Sequence, residues 1–99
     1  MQATYLSPKY NQLDWEDIRF FTALARHRTL VATARELDTR PSAVERRLNH
    51  LESILGYPLF RRSGEGFTLN SAGAATLAEA AQMEMAACSI LQKRPASLA

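Results

Sequence analysis

Thr29–Gly56, TLVATARELDTRPSAVERRLNHLESILG, carries two helical periods broken by one short turn. Thr29 is a helix cap, followed by Leu30, Ala34 and Leu37 on one face. That period fails at Asp38-Thr39. Pro41 comes two residues later, and proline fits the first turn of a helix, where its missing N–H costs nothing. Thr39 or Arg40 therefore caps a second helix from about Pro41 to Leu55. Its apolar face is Val44, Leu48, Leu51 and Leu55, with Ile54 beside it. Gly56 follows as a left-handed residue that ends the helix. A short helix, a tight turn and a longer helix have the dimensions of a helix-turn-helix. Spacing alone does not separate that motif from plain helix packing.

Upstream, Asp14 caps a helix that ends near His27, and Asp17 adds negative charge to its first turn. Ile18, Phe21, Leu24 and Ala25 form the apolar face, Phe20 widens it, and Trp15 packs at its start. Residues 1–12 show no apolar period and read as a flexible N-terminal arm. Downstream, Leu59-Phe60 lead to Gly64 and Gly66, and Phe67 and Leu69 then alternate with Thr68. This reads as a small hairpin with positive φ at both glycines. A basic strand entering a glycine tip just after such a helix has the layout of a wing, so 13–70 is one winged helix-turn-helix unit.

Asn70 caps a last helix in the segment 71–93, running to about Gln92 and roughly 33 Å long. Gly73 falls in its first turn, where a glycine costs little. Residues 94–99 form a tail behind Lys93-Arg94-Pro95. One stripe of this helix is Ala74, Leu77, Ala78, Ala81, Met85 and Cys88, and a second is Ala80, Met83, Ala87 and Ile90. Either both fold onto the domain as one wide face, or one of them meets a second chain. Alanine-rich faces let helix axes approach closely. The second choice makes Leu77, Ala80, Ala81, Met83, Ala87, Ile90 and Leu91 the contacts of a dimer.

With 99 residues, 46% hydrophobic and 22% charged, the chain suits one small folded domain and not a disordered one. No apolar run approaches the roughly 20 residues of a membrane span. The N-terminus lacks the basic and then apolar order of a signal peptide. Cys88 is the only cysteine, which excludes a disulfide framework and a cysteine-rich zinc site and fits a reducing cytoplasm. His27 and His50 have no cysteine or carboxylate constellation around them, and no glycine-rich phosphate loop is present. The sequence thus offers no catalytic, cofactor or metal site, and does not read as an enzyme. Both histidines read as helix-surface residues, and Cys88 as a small packed one.

The net charge of +2 hides an uneven distribution. Between Arg26 and Arg62 stand eight arginines and four acids, while the rest of the chain has four basic and six acidic residues. Arginine is suited to phosphate and base-edge recognition. A solvated helix surface is the plainer reading of the same charges.

From Leu13 to about Leu91 the sequence resembles the N-terminal DNA-binding domain and linker helix of LysR-type transcriptional regulators. Ile18-Arg19-Phe20-Phe21 opens the first helix in that manner. Thr29 to Leu37 is similar to the scaffold helix, and Ser42 to Glu52 stands where the recognition helix does. Leu55-Gly56-Tyr57-Pro58-Leu59-Phe60-Arg61-Arg62 looks like the helix end and first wing strand. Gly66-Phe67-Thr68-Leu69-Asn70-Ser71-Ala72-Gly73 resembles the second wing strand and the start of the linker helix. The resemblance implies a cytoplasmic, nucleoid-associated regulator. It would bind palindromic double-stranded DNA as a homodimer, or as a heterodimer with related regulators. The recognition helix would enter the major groove and the wing would lie at the minor groove.

Residue by residue, the resemblance places Arg40, Ser42, Ala43, Arg46 and Arg47 at or beside the groove-entering positions. Arg46 and Arg47 would clamp phosphates, or one of them read a guanine edge. His50 would reach a phosphate one turn on, and Thr29 would contact the DNA backbone. Arg62, with Arg61 behind it, would approach the minor groove.

Three departures qualify this likeness. Arg40-Pro41 stands where a polar pair is usual, and proline removes a side chain that commonly reads a base. Glu45 stands where a small residue is usual. It either accepts from a cytosine amino group or orients Arg46, Arg47 or Arg40 by a salt bridge, or else it weakens DNA binding. The ligand-sensing domain of full regulators has no counterpart in these residues. The sequence therefore reads as a regulator of this type without its effector-sensing half and without a coinducer site, whether a piece cut after the linker helix or a natural stand-alone domain. The alternative is a stand-alone winged-helix module that binds or inhibits another regulator.

Overall fold

The computed structural model describes residues 12–93. The tail at 94–99, and the arm at 1–12 apart from its last residue, lie outside the described residues. The element order is α1 (Trp15–His27), α2 (Leu30–Glu36), α3 (Pro41–Leu55), β1 (Phe60–Ser63), β2 (Gly66–Leu69) and α4 (Ser71–Gln92). It is a mostly helical winged helix-turn-helix with a long C-terminal helix.

Local chemistry sets the boundaries. Asp14 caps α1 by accepting the Glu16 N–H at 2.9 Å. Thr29 caps α2 through the Ala32 N–H at 3.1 Å, and Asn70 caps α4 through the Gly73 N–H at 2.7 Å. Each bond satisfies a donor that the helix itself leaves open. Pro41 opens α3, and Gly56 closes it with φ 90°. Arg40 is the N-cap of α3, and no side chain caps that end.

Helices α1, α2 and α3 surround a core of Phe21, Leu24, Val44, Leu48 and Leu51, with Leu59 and Phe60 closing it from the strand side. Burial of each such side chain stabilises by roughly 1.5–3 kcal/mol. Trp15 is an exception to the expected packing: 37% exposed, it borders an open groove against Arg19, Glu84 and Ala87.

The hairpin is antiparallel, with Phe60 opposite Leu69 and Arg62 opposite Phe67. It is bolted to the helices by aromatic edges: Phe60 meets Phe21 at 5.6 Å and Phe67 at 5.7 Å, both edge-on. The Phe67 N–H donates to the Arg28 carbonyl at 2.7 Å. Arg28 ends α1 in the left-handed region, φ 73°. At the tip only Gly66 has positive φ, 124°, and Gly64 does not, which corrects the expectation of two such glycines. A Cβ on Gly66 would run into the Arg28 carbonyl oxygen.

Gly73 also differs from expectation. Its place in the first turn is no matter of tolerance, because a Cβ there would strike the Leu59 carbonyl oxygen and come within 2.9 Å of Leu69 Cδ2. Around this point the chain is tightly stitched. The Leu59 N–H donates to Glu52 at 2.8 Å, and the Leu59 carbonyl accepts from the Asn70 N–H at 3.1 Å. The Asn70 side chain also donates to the Pro58 carbonyl at 3.0 Å. Helix α4 therefore leaves the wing at one fixed angle.

Helix α4 lies on α1 through Ala80, 1% exposed, with Leu77 and Met83 packed against the core beside it. Thr22 of α1 donates to Glu84 of α4 at 2.7 Å. Of the residues expected at a dimer contact, Ala80 is covered by its own domain, where the small alanine lets α4 approach α1, and Leu77 and Met83 are half-buried. Ala81 is open, and further along α4 Met85, Ile90 and Leu91 are 71%, 74% and 85% exposed.

Candidate nucleic-acid interface

The basic surface is built around the N-terminal end and outer face of α3. The uncapped start of a helix presents N–H groups and the positive end of the helix dipole, which together favour an anion. Thr39, Arg40, Ser42, Ala43 and Arg46 line an open depression at that end. Arg40, Ser42 and Arg46 are exposed and Ala43 is half-buried. Arg40, Arg46 and Arg61 form no ion pair among the described residues. Thr29 is exposed nearby; its hydroxyl oxygen accepts the capping N–H, which leaves the hydroxyl hydrogen to donate outward.

Arg47 and His50 differ from this set in being tied to α1. Arg47 Nη1 donates to Asp17 at 3.1 Å and to Asp14 at 3.0 Å, and its guanidinium lies over the Phe20 ring. His50 Nδ1 bonds the other Asp17 oxygen. The Asp17 carboxylate is fully buried, and a buried carboxylate needs such partners. Both side chains are bonded to α1 here, rather than standing free among the described residues as Arg40 and Arg46 do. Asp17 pushes the Arg47 pKa further up, with Asp14 adding to it. The Glu16 N–H, and then Arg47, hold the Asp14 carboxyl below its usual range.

Arg62 reaches from β1 back to α3. Its Nη1 donates to Glu45 at 3.1 Å and its Nη2 to Asn49 at 3.2 Å, while its guanidinium sits 4.9 Å from the Phe67 ring centre. The partner of Glu45 is thus Arg62, and not Arg40, Arg46 or Arg47. Arg61 points outward on the same strand and is exposed.

Three residues that hold this surface in place are not marked by the sequence. Asn49 shares a helix face with Glu45, four residues earlier, a spacing that was available. Asp17 falls on the apolar period of Phe21 and Leu24, and a charge on such a face calls for a buried partner. Arg28 lies beside the wing and donates to Thr68 at 3.3 Å; only its left-handed backbone marks it, and the sequence does not show that.

This winged helix-turn-helix with a long trailing helix is the architecture of a bacterial regulatory domain. Residues 15–74 match the family described as bacterial regulatory helix-turn-helix protein, lysR family, and the chain belongs to that family. It is 37% identical over 86 residues to the HTH-type transcriptional regulator TfdS of Cupriavidus pinatubonensis, covering 86% of this chain and 29% of that protein. Among solved structures, the CbnR DNA-binding domain in complex with DNA matches with TM-score 0.73 and 31% identity, covering 78% of this chain and 90% of that one. The probable transcriptional regulator PA0477 from Pseudomonas aeruginosa matches with TM-score 0.79 and 30% identity, covering 90% of this chain and 30% of that one. The chain spans under a third of the length of the curated relatives it matches.

Proposed function

We propose that this chain binds double-stranded DNA sequence-specifically as a transcriptional regulator of LysR type. It would act as a dimer on palindromic operators, with α3 in the major groove and the β1–β2 wing at the minor groove. One observation carries the reading: Arg40, Ser42 and Arg46 stand exposed at an uncapped helix start, flanked by a wing that bears Arg61 and Arg62. Unpaired arginines beside a helix N-terminus suit phosphates and base edges. The likeness to a domain solved with DNA supports it. The exposed outer half of α4, from Ala81 through Met85 to Ile90 and Leu91, is the surface offered for pairing with a second copy. A twofold dimer calls for half-sites on one face of the duplex, about one or two helical turns apart. Selection from a random DNA pool tests binding, specificity and half-site spacing together. Recovery of a symmetric, evenly spaced motif is expected, and an unenriched pool contradicts the reading.

One observation favours a second reading, a module that docks on another regulator. Glu45 neutralises Arg62 and so lowers the charge offered to DNA. An unenriched pool together with direct binding to a related regulator would favour it.

A further inference from the structure

We propose that Glu45 determines specificity by acting through Arg62. Together with Asn49 it latches the wing arginine onto α3, and DNA must replace both partners before the wing engages. The proposal rests on the DNA-binding reading above.

The latch has three sides. Glu45 and Asn49 are four residues apart and share the face of α3 that looks toward the wing. Their side-chain oxygens take one N–H each from the two terminal nitrogens of Arg62, at 3.1 and 3.2 Å. Phe67, directly opposite Arg62 in the hairpin register, supports the guanidinium with its ring. An arginine held by both terminal nitrogens against the recognition helix cannot also lie in a groove beside that helix. Reaching DNA requires it to swing off α3.

The consequence falls on Glu45. The two side chains are each 44% exposed, so solvent screens the pair and it opens readily. Once Arg62 leaves, the Glu45 carboxylate stands alone on the DNA-facing surface. A cytosine amino group beneath it would satisfy it. DNA without such a donor leaves it unpaired among phosphates. The latch therefore penalises non-matching DNA and lets matching DNA exchange partners.

A double-mutant cycle separates this from simple repulsion. Wild type, Glu45→Gln, Arg62→Ala and the double variant are titrated with a random-sequence DNA duplex at low salt. Circular dichroism confirms that these surface substitutions leave the fold intact. The latch predicts that Glu45→Gln raises affinity by about two- to fivefold more when Arg62 is present than when it is alanine. Asn49→Ala should give a smaller gain with the same dependence on Arg62. Equal gains in both backgrounds would mean that Glu45 repels phosphates by itself, and would overturn the latch. A smaller gain with Arg62 present would mean that the pair stays closed on DNA, and would overturn it too. No binding by any of the four proteins would overturn the DNA-binding reading itself, and the latch with it.

Discussion

Arg47 of α3 and Asp17 of α1 meet at 3.1 Å, and the Asp17 carboxylate has no exposure to solvent. The adjacent Arg46 is exposed and unpaired among the described residues. Consecutive arginines of one helix thus serve different ends. Arg47→Ala leaves a buried carboxylate with His50 as its one remaining side-chain partner among the described residues, and about 3 kcal/mol of stability should be lost in urea unfolding. Arg46→Ala should leave stability within about 0.5 kcal/mol, yet weaken DNA binding and lower the salt slope by about one unit.

Gly73 and Gly64 make a second pair of opposites. Alanine usually improves a helix, but at Gly73 it meets the Leu59 carbonyl. Gly73→Ala should destabilise by about 1–3 kcal/mol, as overpacking does. Gly64 has nothing within 4 Å and no positive φ, so Gly64→Ala should be nearly neutral. Paired unfolding curves check both.

Asp14 ties acid sensitivity to α1. Its folded pKa lies below the ordinary 3.8. The folded state therefore favours the carboxylate, and this contribution is complete above 3.8 and lost as pH falls below it. Asp14→Asn keeps a capping oxygen but removes the titration. Its stability should fall less steeply than that of wild type below pH 3.8, and a curve parallel to wild type would count against the capping carboxylate.

The free end of α4 makes an assembly prediction. Ile90 and Leu91 are 74% and 85% exposed, and neither belongs to the core of its own domain. Replacing both with aspartate should leave the fold unchanged and turn a dimer into a monomer in sedimentation. A wild-type chain that is already monomeric at high concentration contradicts the proposed pairing.

The fold was largely legible because its signals are local. Caps at Asp14, Thr29 and Asn70, Pro41 at a helix start and Gly56 at a helix end each act within a few residues of themselves. The site was legible in part. Arg40, Ser42, Arg46, Arg61 and Arg62 fall on the open surface, as the family resemblance implies. Arg47 and the exposed His50 are tied to Asp17, and that contact was not legible because the carboxylate lies 30 or more residues earlier in the chain. The facing of α4 was not legible, for a related reason. With alanine on nearly every side, hydropathy cannot say which stripe is covered; the approach of α1 at Ala80 decides it.

The central claim is that the open arginine surface around α3 and the wing receives DNA. Its most direct test is a titration of a DNA duplex at several salt concentrations. Neutralisation of phosphates by Arg40, Arg46 and Arg61, with Arg62 joining them, predicts binding at low salt. Log affinity should then fall linearly with log salt, with a slope of roughly −3 to −7. No binding at low salt, or binding indifferent to salt, would contradict the claim.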